Sequence, residues 1–133
     1  MSPKLWGASL LLLLSVGACS SAAAGPQRTI RIDIEHSAFS PDSLEIERGT
    51  EVTFLIRNSD PIPHEFIVGD ERIQDIHEEG TEAHHGAKEG EVSVPAGEVA
   101  MTTFTFSETT TLIFGCHLPG HYAYGMRGTI EIR

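Results

Sequence analysis

Apolar and polar positions alternate along much of this chain. Ile30, Ile32 and Ile34 interleave with Arg31, Asp33 and Glu35, the period-two pattern of a strand with one buried face. Leu44 and Ile46 repeat the pattern, as do Val52, Phe54 and Ile56, with Arg48, Gly49 and Thr50 as the turn between them. His64 to Val68 reads as a further strand closed by Gly69, and residues 92–94, 101–106, 110–114 and 129–132 complete the set. About eight short strands separated by turn residues predict an all-β, antiparallel sandwich. Residues 70–91 break the period. There Ile73, Ile76 and His77 fall at helical spacing among many acids, which predicts a short helix over residues 70–79 that stops at Gly80.

The N-terminus carries a different pattern. Lys4 precedes a leucine-dominated run from Leu5 to Val16, and small residues lead to Cys19. A basic start, a short apolar stretch and small residues before a cleavage point read as a secretory signal. The run falls short of the roughly 20 residues that span a bilayer, so an uncleaved membrane helix is the lesser alternative. Cysteine directly after Val16, Gly17 and Ala18 resembles a bacterial lipobox, which implies that Cys19 carries lipid and begins the mature protein. Residues 1–18 are thus expected to be a signal peptide, residues 19–27 a lipidated cysteine with a flexible linker, and residues 28–133 a single domain. The expected product is an exported, membrane-anchored lipoprotein, in the periplasm or on the outer face of the cytoplasmic membrane. Of two cysteines, one would carry lipid and the other metal, so no disulfide is expected.

Charge narrows the partners. The 133-residue chain holds 9 basic and 19 acidic residues. Residues 1–18 contain Lys4 and no acid, so 8 basic residues then face 19 acidic ones, a net charge of −11. Such a body disfavours nucleic acid and suits either basic protein partners or simple solubility as a monomer.

The chemistry is concentrated near the C-terminus. Cys116, His121 and Met126 are separated by four residues each, and His64 stands upstream after Pro61-Ile62-Pro63. Sulfur ligands select copper, and two imidazoles and a thiolate in a plane with a long axial thioether make the blue-copper arrangement used for one-electron transfer. The candidate metal ligands are therefore His64, Cys116, His121 and Met126, with one copper ion as cofactor.

The same residues resemble the ligand loop of the cupredoxins, the small copper proteins that include azurin, plastocyanin and auracyanin. The resemblance extends from about Thr29 to Arg133 through the segment Glu47 to Phe54, the His64-bearing Pro63-His64-Glu65-Phe66, and the exit Gly125-Met126-Arg127-Gly128. It implies a Greek-key barrel of about eight strands with a short helical excursion. It also implies that His121 lies at the surface in an apolar patch and passes the electron, with Leu118, Pro119, Tyr122 and Ile62 around it. Pro119 has no N–H, so the Leu118 amide is the expected donor to the thiolate. Glu65 stands where azurin and plastocyanin have Asn, the residue that ties their two ligand loops together.

His117 beside Cys116 is similar to the arrangement in multicopper oxidases, but Gly115 replaces the matching histidine, and one domain cannot build their interdomain cluster. His117 is expected to pack near the loop or meet a partner, and no enzymatic activity is expected. His77, His84 and His85, with Glu78 and Glu82, offer a second metal site if the excursion stays helical, while His36 is expected to be exposed and idle. The leading expectation is a tethered copper protein that moves single electrons between redox partner proteins. The alternative is copper tolerance, storage or delivery to an oxidase.

Overall fold

The computed structural model describes residues 25–80 and 88–133. The proposed leader, Cys19, His84 and His85 lie outside them. In chain order the elements are β1 (Gln27–Glu35), β2 (Ala38–Ser40), β3 (Ser43–Ile46), β4 (Glu51–Asn58), β5 (His64–Gly69), α1 (Glu71–Glu78), β6 (Glu91–Val94), β7 (Val99–Thr105), β8 (Thr111–Gly115) and β9 (Arg127–Ile132). Two sheets face each other, one ordered β2-β1-β4-β7 and the other β3-β9-β8-β5-β6. No helix among the described residues is long and apolar enough to cross a membrane.

The alternating residues fulfil their pattern. Ile30, Ile32 and Ile34 of β1 and Val52, Phe54 and Ile56 of β4 point inward while their neighbours face outward or are partly covered. Strand direction departs from the antiparallel expectation, because β1 runs parallel to β4 and β3 parallel to β9. Periodicity reports which face is buried and is blind to direction. The turn at Arg48-Gly49-Thr50 does not close a hairpin. It carries the chain from one sheet to the other, with Arg48 N–H donating to Arg133 O and Gly49 N–H to Phe106 O. The three residues of β2 are too few to show any period.

All six residues of β5 are buried. One face meets the opposite sheet and the other lies under α1, so this strand shows no alternation. The helix begins at Asp70, whose carboxylate accepts from Ile73 N–H at 2.9 Å, and ends at Glu79 before Gly80, which takes a positive φ of 80°. These caps match the predicted limits. Gln74 fixes the helix to the sheet, its amide donating to Ile67 O at 3.2 Å and Ile113 O at 3.0 Å.

Aromatic packing fills the core, with ring centroids 5.0 Å apart for Phe54 and Phe66, 5.2 Å for Phe66 and Phe114, and 5.3 Å for Phe39 and Phe114. Truncating a ring of this kind to Ala costs about 3–5 kcal/mol. Cys116 and Met126 belong to the same buried cluster, so the metal ligands grow directly out of the end of the core.

Candidate metal centre

Four expected ligands converge from two places. His64 opens β5, whereas Cys116, His121 and Met126 lie in the connection between β8 and β9. Cys116 Sγ sits 3.4 Å from His121 Nδ1 and 3.9 Å from His64 Nδ1, and the three ligand atoms all lie within 4.8 Å of one another. Bonds of about 2.0 Å to nitrogen and 2.3 Å to sulfur, arranged trigonally, would set each N···S pair about 3.7 Å apart. The donor spacing therefore fits a first-row metal ion, and the thiolate with two imidazoles fits copper. Met126 is buried beside them with only 2% of its surface exposed.

The connecting loop holds its own shape. Cys116 N–H donates to Met126 O at 3.1 Å, Met126 N–H to His121 O at 2.9 Å, and His121 N–H to Leu118 O at 2.9 Å. Gly120 and Gly125 take φ values of 84° and 100°, which a side chain would resist and glycine adopts freely. Beside the loop His117 stacks on Tyr122 with centroids 4.6 Å apart, and Arg127 covers Tyr122 at 5.1 Å.

His64 is held by a side chain instead. Its Nε2 meets Asp60 Oδ2 at 2.9 Å, and the carboxylate also accepts from the amides of His36 at 2.7 Å and Ser37 at 2.8 Å. Asp60 can only accept while ionised, so Nε2 carries the hydrogen and Nδ1 turns its lone pair toward Cys116. Burial alone would raise the Asp60 pKa. The amides of Ser37 and His36, together with His64, outweigh that and hold it below the usual carboxylate range. Burial also lowers the His64 pKa against the opposing pull of Asp60, keeping the ring neutral and ready to ligate. The His36 and Ser37 amides are presented by consecutive residues that both have φ of 54°, a left-handed turn that forms a small anion-binding nest.

Burial pushes the Cys116 thiol up to about 11, although the amides of Leu118 and Glu65 oppose the rise and the Glu65 and Glu78 carboxylates add to it. Ionisation at neutral pH therefore needs a metal's positive charge. The Leu118 amide acts as expected, but it is not alone. Glu65 N–H donates to Sγ at 3.3 Å, so the thiolate has two amide donors, because β5 runs past the loop and presents its main chain whatever side chain stands at 65.

Other expectations need correction. The ring of His36 is exposed as expected, yet its amide serves the site. His117 faces inward with its side chain 2% exposed, which removes it from partner contact. Tyr122 belongs to the His117 stack, leaving half-buried His121 with exposed Pro119 and Ile62 as the more open residues of the expected patch. His77, expected in a second metal site if the excursion stayed helical, is buried against Ile73 O and Glu91; α1 stops before Gly80, and His84 and His85 lie outside the described residues. Asp60 was not among the expected site residues. A carboxylate four residues before a ligand histidine in a Pro-containing turn was its only signal.

The description of copper binding proteins of the plastocyanin/azurin family matches residues 27–133. The chain belongs to this family. Two curated relatives of this cupredoxin are described as copper-resistant cuproprotein CopI. That of Rubrivivax gelatinosus is 31% identical over 115 residues, covering 84% of this chain and 70% of the relative. That of Pseudomonas aeruginosa is 26% identical over 143 residues, covering 84% and 79%. Among solved structures, auracyanin B superimposes with a TM-score of 0.68 at 21% identity, covering 81% of this chain and 90% of its own. That last likeness concerns the fold, and it agrees with the two-sheet architecture of this cupredoxin.

Proposed function

We propose that this cupredoxin holds one copper ion and exchanges single electrons through it with protein partners outside the cytoplasmic membrane, and that this chemistry serves copper tolerance. The observation that carries the reading is the donor spacing at Cys116, His64 and His121, set before any metal is considered. Copper bound there supplies a couple between Cu(II) and Cu(I). The protein's part is to keep the donors still. Asp60 orients His64, the loop amides fix Cys116 and His121, and the core behind Cys116 and Met126 excludes water. Ligands that do not move between oxidation states keep the reorganisation on electron transfer small. His121, partly exposed, is the exit for the electron. No bond in a substrate is made or broken, so the reading is of a carrier and not an enzyme.

Copper tolerance is supported by the description of the two CopI relatives as copper-resistant. Export is supported by the leader-like N-terminus and by membership of this family, and attachment of lipid at Cys19 is part of the same proposal. A strain lacking the protein should grow poorly in excess copper, and the wild-type gene should restore growth where Cys116→Ser does not. Rescue by Cys116→Ser would place the role elsewhere in the chain. Fast electron self-exchange by the reconstituted protein would favour the carrier, whereas slow exchange with readily lost copper would favour storage or delivery. Cys19→Ser should move the protein to the soluble fraction, since a buried lipid chain contributes about 0.8 kcal/mol per CH₂.

A further inference from the structure

The two groups of copper ligands must be held against each other as well as within themselves, and one side chain of α1 touches the supports of both. Gln74 is 1% exposed. Its amide nitrogen donates to Ile67 O at 3.2 Å and Gly69 O at 3.4 Å on β5, the strand that His64 opens, and to Ile113 O at 3.0 Å on β8. Carbonyl oxygens can only accept, so the amide has one orientation and its oxygen faces the loop after Cys116. There His117 Nε2 donates to Gln74 Oε1 at 2.7 Å. Glu78 Oε2 stands 3.5 Å from the other nitrogen of that ring.

From His117 a column of side chains continues toward solvent. The His117 ring stacks on Tyr122 with the two planes 25° apart, and the Arg127 guanidinium lies 5.1 Å from the Tyr122 centroid. His117 follows Cys116, Tyr122 follows His121 and Arg127 follows Met126, so each ligand of the loop is bonded directly to a member of the column. Exposure rises along it, from buried His117 through half-buried Tyr122 to exposed Arg127. Gly115 makes the room. Register sets it between Ile67 and Arg127, and a Cβ there would stand 2.7 Å from the Tyr122 ring and 3.1 Å from Gln74 Oε1. Gly115 lies in a strand and has no left-handed φ, so space and not conformation calls for glycine at this position.

Main-chain hydrogen bonds within the loop fix Cys116, His121 and Met126 relative to one another. How the loop sits on the His64 strand is a separate matter. We propose that Gln74, His117 and Tyr122 are positioning residues that register the loop against β5 and so set the 3.9 Å separation of Cys116 Sγ from His64 Nδ1. The hydrogen bond from Glu65 N–H to Sγ at 3.3 Å spans the same gap and depends on the same seating. Cu(I) and Cu(II) prefer different ligand distances, and a loop clamped to the strand opposite yields less to that difference. Helix α1 then has a part in the copper chemistry, because it carries a side chain that reaches both arms. The inference deepens the reading of the centre as a copper site and holds equally for a carrier and a store.

The test uses Gln74→Leu, Tyr122→Leu and Gly115→Ala, the last leaving every column residue in place while crowding the Tyr122 ring. In the metal-free protein, alkylation of Cys116, read by peptide mass, reports how often the loop lifts from the strand. Loss of one hydrogen bond shifts such an opening by about 2–10-fold, so all three variants should be alkylated faster by that factor. In the copper-loaded protein the visible band should persist, copper should leave about 10–100-fold faster, and the copper hyperfine splitting in the paramagnetic resonance spectrum should change. Tyr122→Phe, which keeps the ring, should restore the wild-type values, as a requirement for the stack and not the hydroxyl demands. If Gln74→Leu does not fold, Tyr122→Leu against Tyr122→Phe decides alone, since Tyr122 is half-buried at the edge of the fold. Melting temperatures that fall while alkylation, copper release and hyperfine splitting stay at wild-type values would overturn the proposal and leave the column as packing. Neither rate depends on electron exchange, so failure of the carrier reading would leave this result standing.

Discussion

The two arms that bring ligands to copper are built on opposite physical principles. Loop 116–126 delivers three ligands and is pinned by its own amides and carbonyls, so many of its side chains can change without moving the donors. His64 comes alone from a strand and is aimed by a buried carboxylate, itself held by two amides from a left-handed turn. One arm is fixed by main-chain geometry and the other by charge. A cupredoxin of this design can be retuned through Asp60 without rebuilding its loop.

The largest expected effect falls on the loop arm. Cys116→Ser should abolish the intense visible band of the copper-loaded protein, since the thiolate is its only source. A persistent band would show that the loop does not supply the sulfur donor. Acid and base act next. With the thiol near 11, metal uptake at neutral pH releases the Cys116 proton, so affinity should rise about tenfold per pH unit from pH 7 to 9. His64, its pKa lowered and its ring already neutral, adds no release in that range. Proton counting by calorimetry in buffers of different ionisation enthalpy reads this directly, and release of two protons at pH 8 would contradict the assignment.

Asp60→Asn tests the charged arm. The amide keeps the shape but loses the charge that polarises His64, so copper affinity should fall about 10–100-fold and the reduction potential should rise, with the band retained. An unchanged affinity would mean that the strand alone positions the ring. The smallest effect is expected from Met126→Leu, which leaves the equatorial donors in place. Loss of a weak axial donor disfavours Cu(II), and a tenfold bias toward Cu(I) appears as an increase of about 59 mV. A potential that does not move would assign Met126 to the core alone.

The sequence made the loop arm readable and hid the other. Cys116, His121 and Met126 lie within eleven positions, so their spacing alone carries their chemistry, and the glycines at 120 and 125 mark the turns. His64 was legible only by combination with them. Asp60 and the amides of His36 and Ser37 left little trace, because an interaction through backbone N–H has no residue-type signature and the turn is separated from Asp60 by more than twenty positions. Similarly, alternating isoleucines reveal inward faces, but the parallel pairing of β1 with β4 depends on a crossing between sheets that no local period encodes. Buried Glu65 and Glu91 were unreadable as well, since their burial comes from tertiary packing on the outer face of β5 and β6 that no local period encodes.

The direction of β1 sets how the molecule would stand on a surface. Its first residue, Gln27, pairs with Glu51, and its last lies beside the turn that grips Asp60. Nine residues at about 3.3 Å each therefore separate the start of the domain from its copper end. A chain fastened by lipid upstream of Gly25 would hang like a lantern, its attachment at one pole and its light at the other. His121 would face away from the bilayer, and reach would be governed by the length of the stem. Shortening residues 19–26 should lower the height of the copper above the membrane and leave its chemistry untouched.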